Sequence, residues 1–388
     1  MITTLSVGIF GVLGALIGSF ANVVIYRLPR RESIVFPGSH CPTCQHRLSP
    51  LELVPVISWL ALGGRCRVCK TRIGVRYPVI ELLTAVAFML IAWRWPLFSY
   101  GPTPLVLLAI LTFLMIAAAI DLDHLVLPDV LTLPAVIIAI AGTALYPPEA
   151  GLPGLHEALT GSAIGAGIVV LINRIGGLFL RRFADTEERL WPLGLDQVNI
   201  AALAGVVGGW QVGVAAAGAS IIINLLTGRT LRLPEAPVYA LWLLAALLDT
   251  AGILPVGAVG GIGGSLAAAG TIALTGAAYW WLGDLIQGRS NTSSDPPEEE
   301  VEAGIGEPVA MGFGDVKLAA VLGGLLGWEK MLVALFLAFF IGALGGIAGR
   351  LTGGRREIPF GPYLVLGGVV SLFFGGWLLA WYLGFLSA

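Results

Sequence analysis

Charge is what this chain has least of. Only 12% of its 388 residues are Asp, Glu, Lys or Arg, against 57% hydrophobic, and mean hydropathy is +0.89. A soluble domain of this size needs more polar surface, so that class is excluded. Cysteine is nearly as scarce, with Cys41, Cys44, Cys66 and Cys69 the whole supply. The N-terminus, Met1-Ile2-Thr3-Thr4, has no early basic stretch or Ala-x-Ala site, so the first apolar span is expected to be retained. No glycine-rich cofactor fold of a soluble type is visible either.

What is present is a series of apolar runs. They fall near residues 5–25, 78–93, 103–120, 130–145, 161–180, 198–226, 238–248, 254–282, 318–348 and 363–385. Residues 198–226 suit one tilted helix or two short ones, and 318–348 two helices broken near Gly327-Trp328-Glu329-Lys330. The expected fold is an all-α polytopic membrane protein of roughly nine to twelve spans. The 53 glycines suit close helix packing in lipid.

Nine of the 22 basic residues lie between Arg27 and Arg76, opposed only by Glu32 and Glu52. The Lys/Arg bias places this loop, 27–77, in the cytoplasm. It also accounts for the basic patch, so no nucleic-acid partner is inferred. Within the loop, Cys41-Pro42-Thr43-Cys44 and Cys66-Arg67-Val68-Cys69 form two C-x2-C pairs. Four thiolates at that spacing suit a structural zinc ion. The competing readings are two disulfides, which a reducing cytoplasm opposes, and an iron–sulfur cluster. His40 and His46 are expected to be solvated, because four cysteines complete the shell.

Two aspartate motifs stand at the borders of apolar runs. The first is Asp121-Leu122-Asp123-His124, continuing to Leu127-Pro128-Asp129, and the second is Gly312-Phe313-Gly314-Asp315-Val316-Lys317. Ionisable groups there are costly and signal function. Asp121 is the deepest carboxylate of its motif. Asp129 has a structural reading as a helix N-cap, and Asp123 and His124 as headgroup-facing residues. Glycines beside Asp315 let a substrate strand approach. Lys317 is placed to pair with a lipid phosphate or a carboxylate. Two aspartates sharing one proton can hydrolyse a peptide bond. Ion coordination in a transporter is the alternative.

The chain resembles the bacterial type IV prepilin peptidases. The resemblance rests on Gly18-Ser19-Phe20-Ala21-Asn22 through Tyr26-Arg27-Leu28-Pro29, both cysteine pairs and Arg76-Tyr77-Pro78-Val79-Ile80-Glu81. It continues in Asp121 to Asp129, Gly312 to Lys317 and Ile358-Pro359-Phe360-Gly361-Pro362. It implies catalytic aspartates at Asp121 and Asp315 and a bacterial inner-membrane location with the active site facing the cytoplasm. The implied substrates are type IV prepilins and type II secretion pseudopilins. It further implies N-methylation of the new terminus with S-adenosylmethionine, an activity associated with the cysteine loop. A peptidase without that second activity is the alternative. Asn22, Arg76 and Glu81 are polar positions near the loop, but spacing alone does not place a methyl-donor site or an oligomeric state.

The chain departs from that family in the length between its aspartate motifs. Gly194-Leu195-Asp196-Gln197-Val198-Asn199 parallels Gly312-Phe313-Gly314-Asp315-Val316-Lys317, and the offset of 118 (315 − 197) continues to Trp210 and Trp328. A span-and-motif unit within 130–283 is read as a degenerate duplicate in which Gln197 stands at the place of Asp315. Pro134-Ala135-Val136 and Ala236-Pro237-Val238 also both open apolar runs, without sharing that offset. Chance likeness between Gly/Ala-rich helices is the competing reading. The polar stretch 288–308, inside the acidic segment 284–310, is expected to be a disordered linker before the peptidase segment 311–388.

Overall fold

The computed structural model describes residues 2–180, 192–231, 233, 235–252, 261–286, 313–351 and 359–386. The acidic stretch 288–308 lies outside these residues, as does the start of the expected span 254–282. Among the described residues the regular structure is helical, with two isolated β-bridges and no sheet. Among these described residues eight helices are long and apolar enough to cross a membrane, and two shorter ones, Asp129–Leu145 and Pro237–Thr250, are apolar too. This is an all-α, multi-pass membrane protein. It divides into two compact units, Met1–Gly154 and Leu155–Ala388.

The first unit contains α1 (Ile2–Arg27), α2 (Ile57–Ala61), α3 (Arg76–Arg94), α4 (Leu97–Tyr100), α5 (Thr103–His124) and α6 (Asp129–Ala141). Glycine lets α1 and α3 approach closely. A methyl group on Gly14 would come 2.8 Å from the Thr84 carbonyl oxygen, and one on Gly18 equally near Glu81 Cα. Such backbone proximity gains dispersion energy where lipid removes the hydrophobic drive between helices. Ile116, Ala117 and Ile120 of α5 pack with Ala21, Val24, Ile25 and Ile80. Leu131 of α6 joins the same cluster, whose last α5 member, Ile120, directly precedes Asp121.

The second unit contains α7 (Leu155–Leu180), α8 (Leu195–Thr227), α9 (Glu235–Thr250), α10 (Gly261–Ile286), α11 (Phe313–Leu351) and α12 (Gly361–Leu386). Two of these helices are broken by glycine: α8 at Gly209 (φ 83°, ψ 173°) and α11 at Gly327 (φ 76°, ψ 167°). That conformation is essentially open to glycine alone. At Gly209 the chain doubles back. A methyl on Gly213 would lie 2.5 Å from the Ala201 carbonyl oxygen, whereas twelve residues of straight helix span about 18 Å. Residues 198–226 are therefore two short helices rather than one tilted span, and 318–348 is broken at the glycine expected from sequence. The two breaks are themselves 118 positions apart (327 − 209).

Packing in this unit is crossed. Helix α7 lies on α11 rather than on the next helix in sequence, α10 lies on α8, and α7 and α10 touch each other. Helix α12 covers α11.

Candidate functional site

The cysteine loop folds as two matching knuckles. In each, a backbone N–H of the leading cysteine closes a turn: Cys41 donates to His46 O and Cys66 to Thr71 O, both at 2.9 Å. Gln45 and Lys70, each four residues after the leading cysteine, take matching left-handed conformations at φ 58° and 60°. The four sulfurs lie within 4.8 Å of one another, with Cys41–Cys69 at 3.8 Å and Cys44–Cys66 at 3.9 Å. A tetrahedron of sulfurs about 2.3 Å from a central zinc has edges of about 3.8 Å, so the donor set fits the ion.

The electrostatics agree. The hydroxyl and backbone N–H of Thr71 stabilise the Cys69 thiolate and bring its pKa down to about 6. The His46 N–H favours a Cys44 thiolate, yet burial and the neighbouring sulfurs outweigh it and push Cys44 up to about 11. Four crowded sulfurs resist joint ionisation unless a cation shares them. His40 bonds to Gly38 O, and His46 Nε2 lies 3.5 Å from Glu52, so neither belongs to the sulfur cluster.

Buried polar side chains connect this loop to the helices. Glu81 of α3 accepts the Val56 N–H at 2.7 Å, holding the loop just before α2. Asn22 of α1 donates to Tyr77 O at the start of α3. A cavity of about 80 Å3 opens beside them, lined by Asn22, Ile25, Tyr26, Arg30, Arg76, Tyr77 and Asp123. Arg76 and Asp123 form an ion pair across it, so Asp123 is a helix-to-helix tie rather than a group turned only to headgroups. The basic residue opening one helix and the acidic residue closing another were both legible. Their meeting was not.

The first-motif aspartates separate cleanly. Asp121, in the last turn of α5, is 6% exposed. Asp129 is not an N-cap. Pro128 occupies that place in extended conformation and its carbonyl accepts the N–H groups of Leu131 and Thr132, so Asp129 is the first helical residue.

In the second unit Asp315 lies in the first turn of α11 and is 7% exposed. Lys317 is also buried, its ammonium 5.6 Å from the centre of the Phe313 ring. The parallel segment of α8 is built differently. Gln197 is 1% exposed, caps the Gly194 N–H at 2.8 Å and donates to Ser220 Oγ at 3.3 Å. Asn199 accepts from the Tyr239 hydroxyl at 3.1 Å, and Asp196 holds the Leu233 N–H.

A multi-pass helical membrane protein with a four-cysteine loop and buried carboxylates at helix ends is the class these features define. Residues 12–95 match the bacterial peptidase A24 N-terminal domain, and residues 108–229 and 228–347 each match the type IV leader peptidase family. The chain belongs to that family. It is 37% identical over 226 residues to a prepilin leader peptidase/N-methyltransferase of Myxococcus xanthus, covering 56% of this chain and 63% of that one. It is 34% identical over 260 residues to a type 4 prepilin-like proteins leader peptide-processing enzyme of Escherichia coli, covering 60% and 90%. A prepilin leader peptidase/N-methyltransferase of Aeromonas salmonicida matches at 27% over 396 residues, covering 95% and 90%. No solved structure matches.

Proposed function

We propose that this chain is an aspartic peptidase of the bacterial inner membrane that removes the leaders of type IV prepilins and type II secretion pseudopilins, then N-methylates the new terminus. The observation that carries the reading is family membership joined to two buried carboxylates at helix ends, Asp121 and Asp315. In this account they share one proton. The ionised carboxylate takes a proton from water as the oxygen attacks the peptide carbonyl. The protonated one donates to the departing amide nitrogen. The basic loop orients the catalytic side to the cytoplasm. Gln197 cannot ionise, so the α8 motif is the inactive duplicate.

The thiolates of Cys41, Cys44, Cys66 and Cys69 hold structural zinc, which supplies folding energy to a loop with little core of its own. S-adenosylmethionine supplies an electrophilic methyl group when bound. The cavity between α1, α3 and α5 suits its amino-acid end: Arg30 and Arg76 complement a carboxylate and Asp123 an ammonium, while the Tyr26 ring holds the Arg30 guanidinium in place. Purified protein incubated with a prepilin and labelled methyl donor tests the reading, with cleavage and methylation scored separately. Unprocessed prepilin with folded, zinc-loaded protein would refute it.

A further inference from the structure

The crossed packing of the second unit carries more than a repeated motif. Three separate correspondences run through it. Helix α8 matches α11 at the offset already given, including the glycine break. Helix α10 matches α7 at an offset of 103 (264 − 161), with Gly161-Ser162 answering Gly264-Ser265 and Ala166-Gly167 answering Ala269-Gly270. Helix α9 matches α12 at an offset of 125 (362 − 237), where Leu233-Pro234 and Pro237 answer Ile358-Pro359 and Pro362. The proline to set beside Pro237 is therefore Pro362. Pro134, inside α6, is unrelated.

The contacts repeat as the sequence does. Gly161 of α7 meets Gly323 of α11, and the equivalent pair is Gly264 of α10 against Gly205 of α8. Helices α8 and α10 thus rebuild, in reversed chain order, the pair formed by α11 and α7, whereas α9 packs much more sparsely on α8 than α12 does on α11. Between the two sets lies one seam, and it is reciprocal. A methyl on Gly167 would overlap the carbonyl oxygen of Leu266, and one on Gly270 that of Ala163. Residues 167 and 270 correspond, as do 163 and 266. Each set offers the other the same patch, which is the signature of a two-fold interface.

The two sets differ inside. Gln197–Ser220 and Asn199–Tyr239 bolt the inserted set with side-chain hydrogen bonds. Ala338 and Leu364 stand at the places of Ser220 and Tyr239, so these bolts exist in one set alone.

We propose that the second unit is a dimer fused into one chain: an active set of α7, α11 and α12 docked by a two-fold seam onto an inert, permuted copy of itself. The partner that fits the α7 face is a second copy of that face. The assignment of the active set rests on the reading of Asp315 as catalytic.

The test uses full-length protein. Gly167→Leu and Gly270→Leu each spoil one side of the seam and free the other. Each single variant should raise the dimer-to-monomer ratio in detergent about tenfold, the factor for roughly 1.4 kcal/mol of helix association. The double variant spoils both faces and should return to the wild-type ratio. Both singles should retain cleavage, since neither residue touches the aspartates' helix ends. Singles that stay at the wild-type ratio while zinc-loaded and monodisperse would overturn the proposal, as would a double that dimerises like the singles. If leucine unfolds the protein, Gly167→Ala and Gly270→Ala replace it, because a methyl already overlaps the facing carbonyl. The dimer readout is independent of cleavage, so a failed peptidase assignment leaves the seam testable.

Discussion

Alanine at Gly327 separates the two halves of the repeat most sharply. Gly327 holds φ 76° and ψ 167° at the break in α11, the helix that carries Asp315. A residue with a Cβ is strained there by about 1–3 kcal/mol. The surroundings give little relief, since a methyl on the facing Gly161 would already lie 3.0 Å from the Gly327 carbonyl carbon. Strain of that size shifts the balance between the closed and opened hairpin by about 5- to 150-fold. Gly327→Ala should therefore lose both thermal stability and leader cleavage. Gly209→Ala imposes the same backbone strain on α8 and should lose comparable stability while cleavage per folded molecule stays near wild type. The assay is processed pilin by mass against folded protein by monodisperse elution. Equal losses of cleavage, or a larger loss at Gly209, would refute the division into active and inert sets.

Metal analysis should find one zinc per chain, lost in Cys66→Ser, and a metal-free wild type would remove the knuckle assignment. Asp196→Asn should cleave substantially, because its carboxylate holds the Leu233 N–H rather than a substrate, and a loss like that of Asp315→Asn would count against this. The N–H and hydroxyl of Ser49 hold the Glu52 carboxyl below its usual 4.5. A depressed folded pKa stabilises above the unfolded value and is lost as pH falls through the folded one. Glu52→Gln should therefore weaken zinc retention above that range and match wild type at more acid pH. Identical pH profiles would contradict it. Glu81→Ala frees the Val56 N–H, so proteolysis within the loop should quicken, and an unchanged rate would show the anchor is unimportant.

Local features were the most legible. The two cysteine pairs and the break at Gly327 follow from residue type and short spacing, which local backbone chemistry obeys. The cap at Asp129 was misread by one position because Pro128 brings its own fixed φ and a free carbonyl, and so takes the role itself. The α7–α10 likeness was missed because it is written in glycine, alanine and serine, which carry little information singly. The signal was the paired spacing of Gly161-Ser162 and Ala166-Gly167 against Gly264-Ser265 and Ala269-Gly270. No sequence pattern gave the crossed packing. Tandem copies offer each helix two chemically similar partners, and only the folded chain chooses between them. The Arg76–Asp123 tie was hidden for a related reason, since 47 positions separate its partners.

Asp121 and Asp315 are proposed to work as one acid–base pair. The direct measurement is the mass of prepilin after incubation with Asp121→Asn or Asp315→Asn protein that inserts normally and keeps its zinc. Each should leave the leader attached, while Gln197→Ala, which alters the motif proposed to be inactive, should remove it. Complete processing by either asparagine variant would contradict the claim.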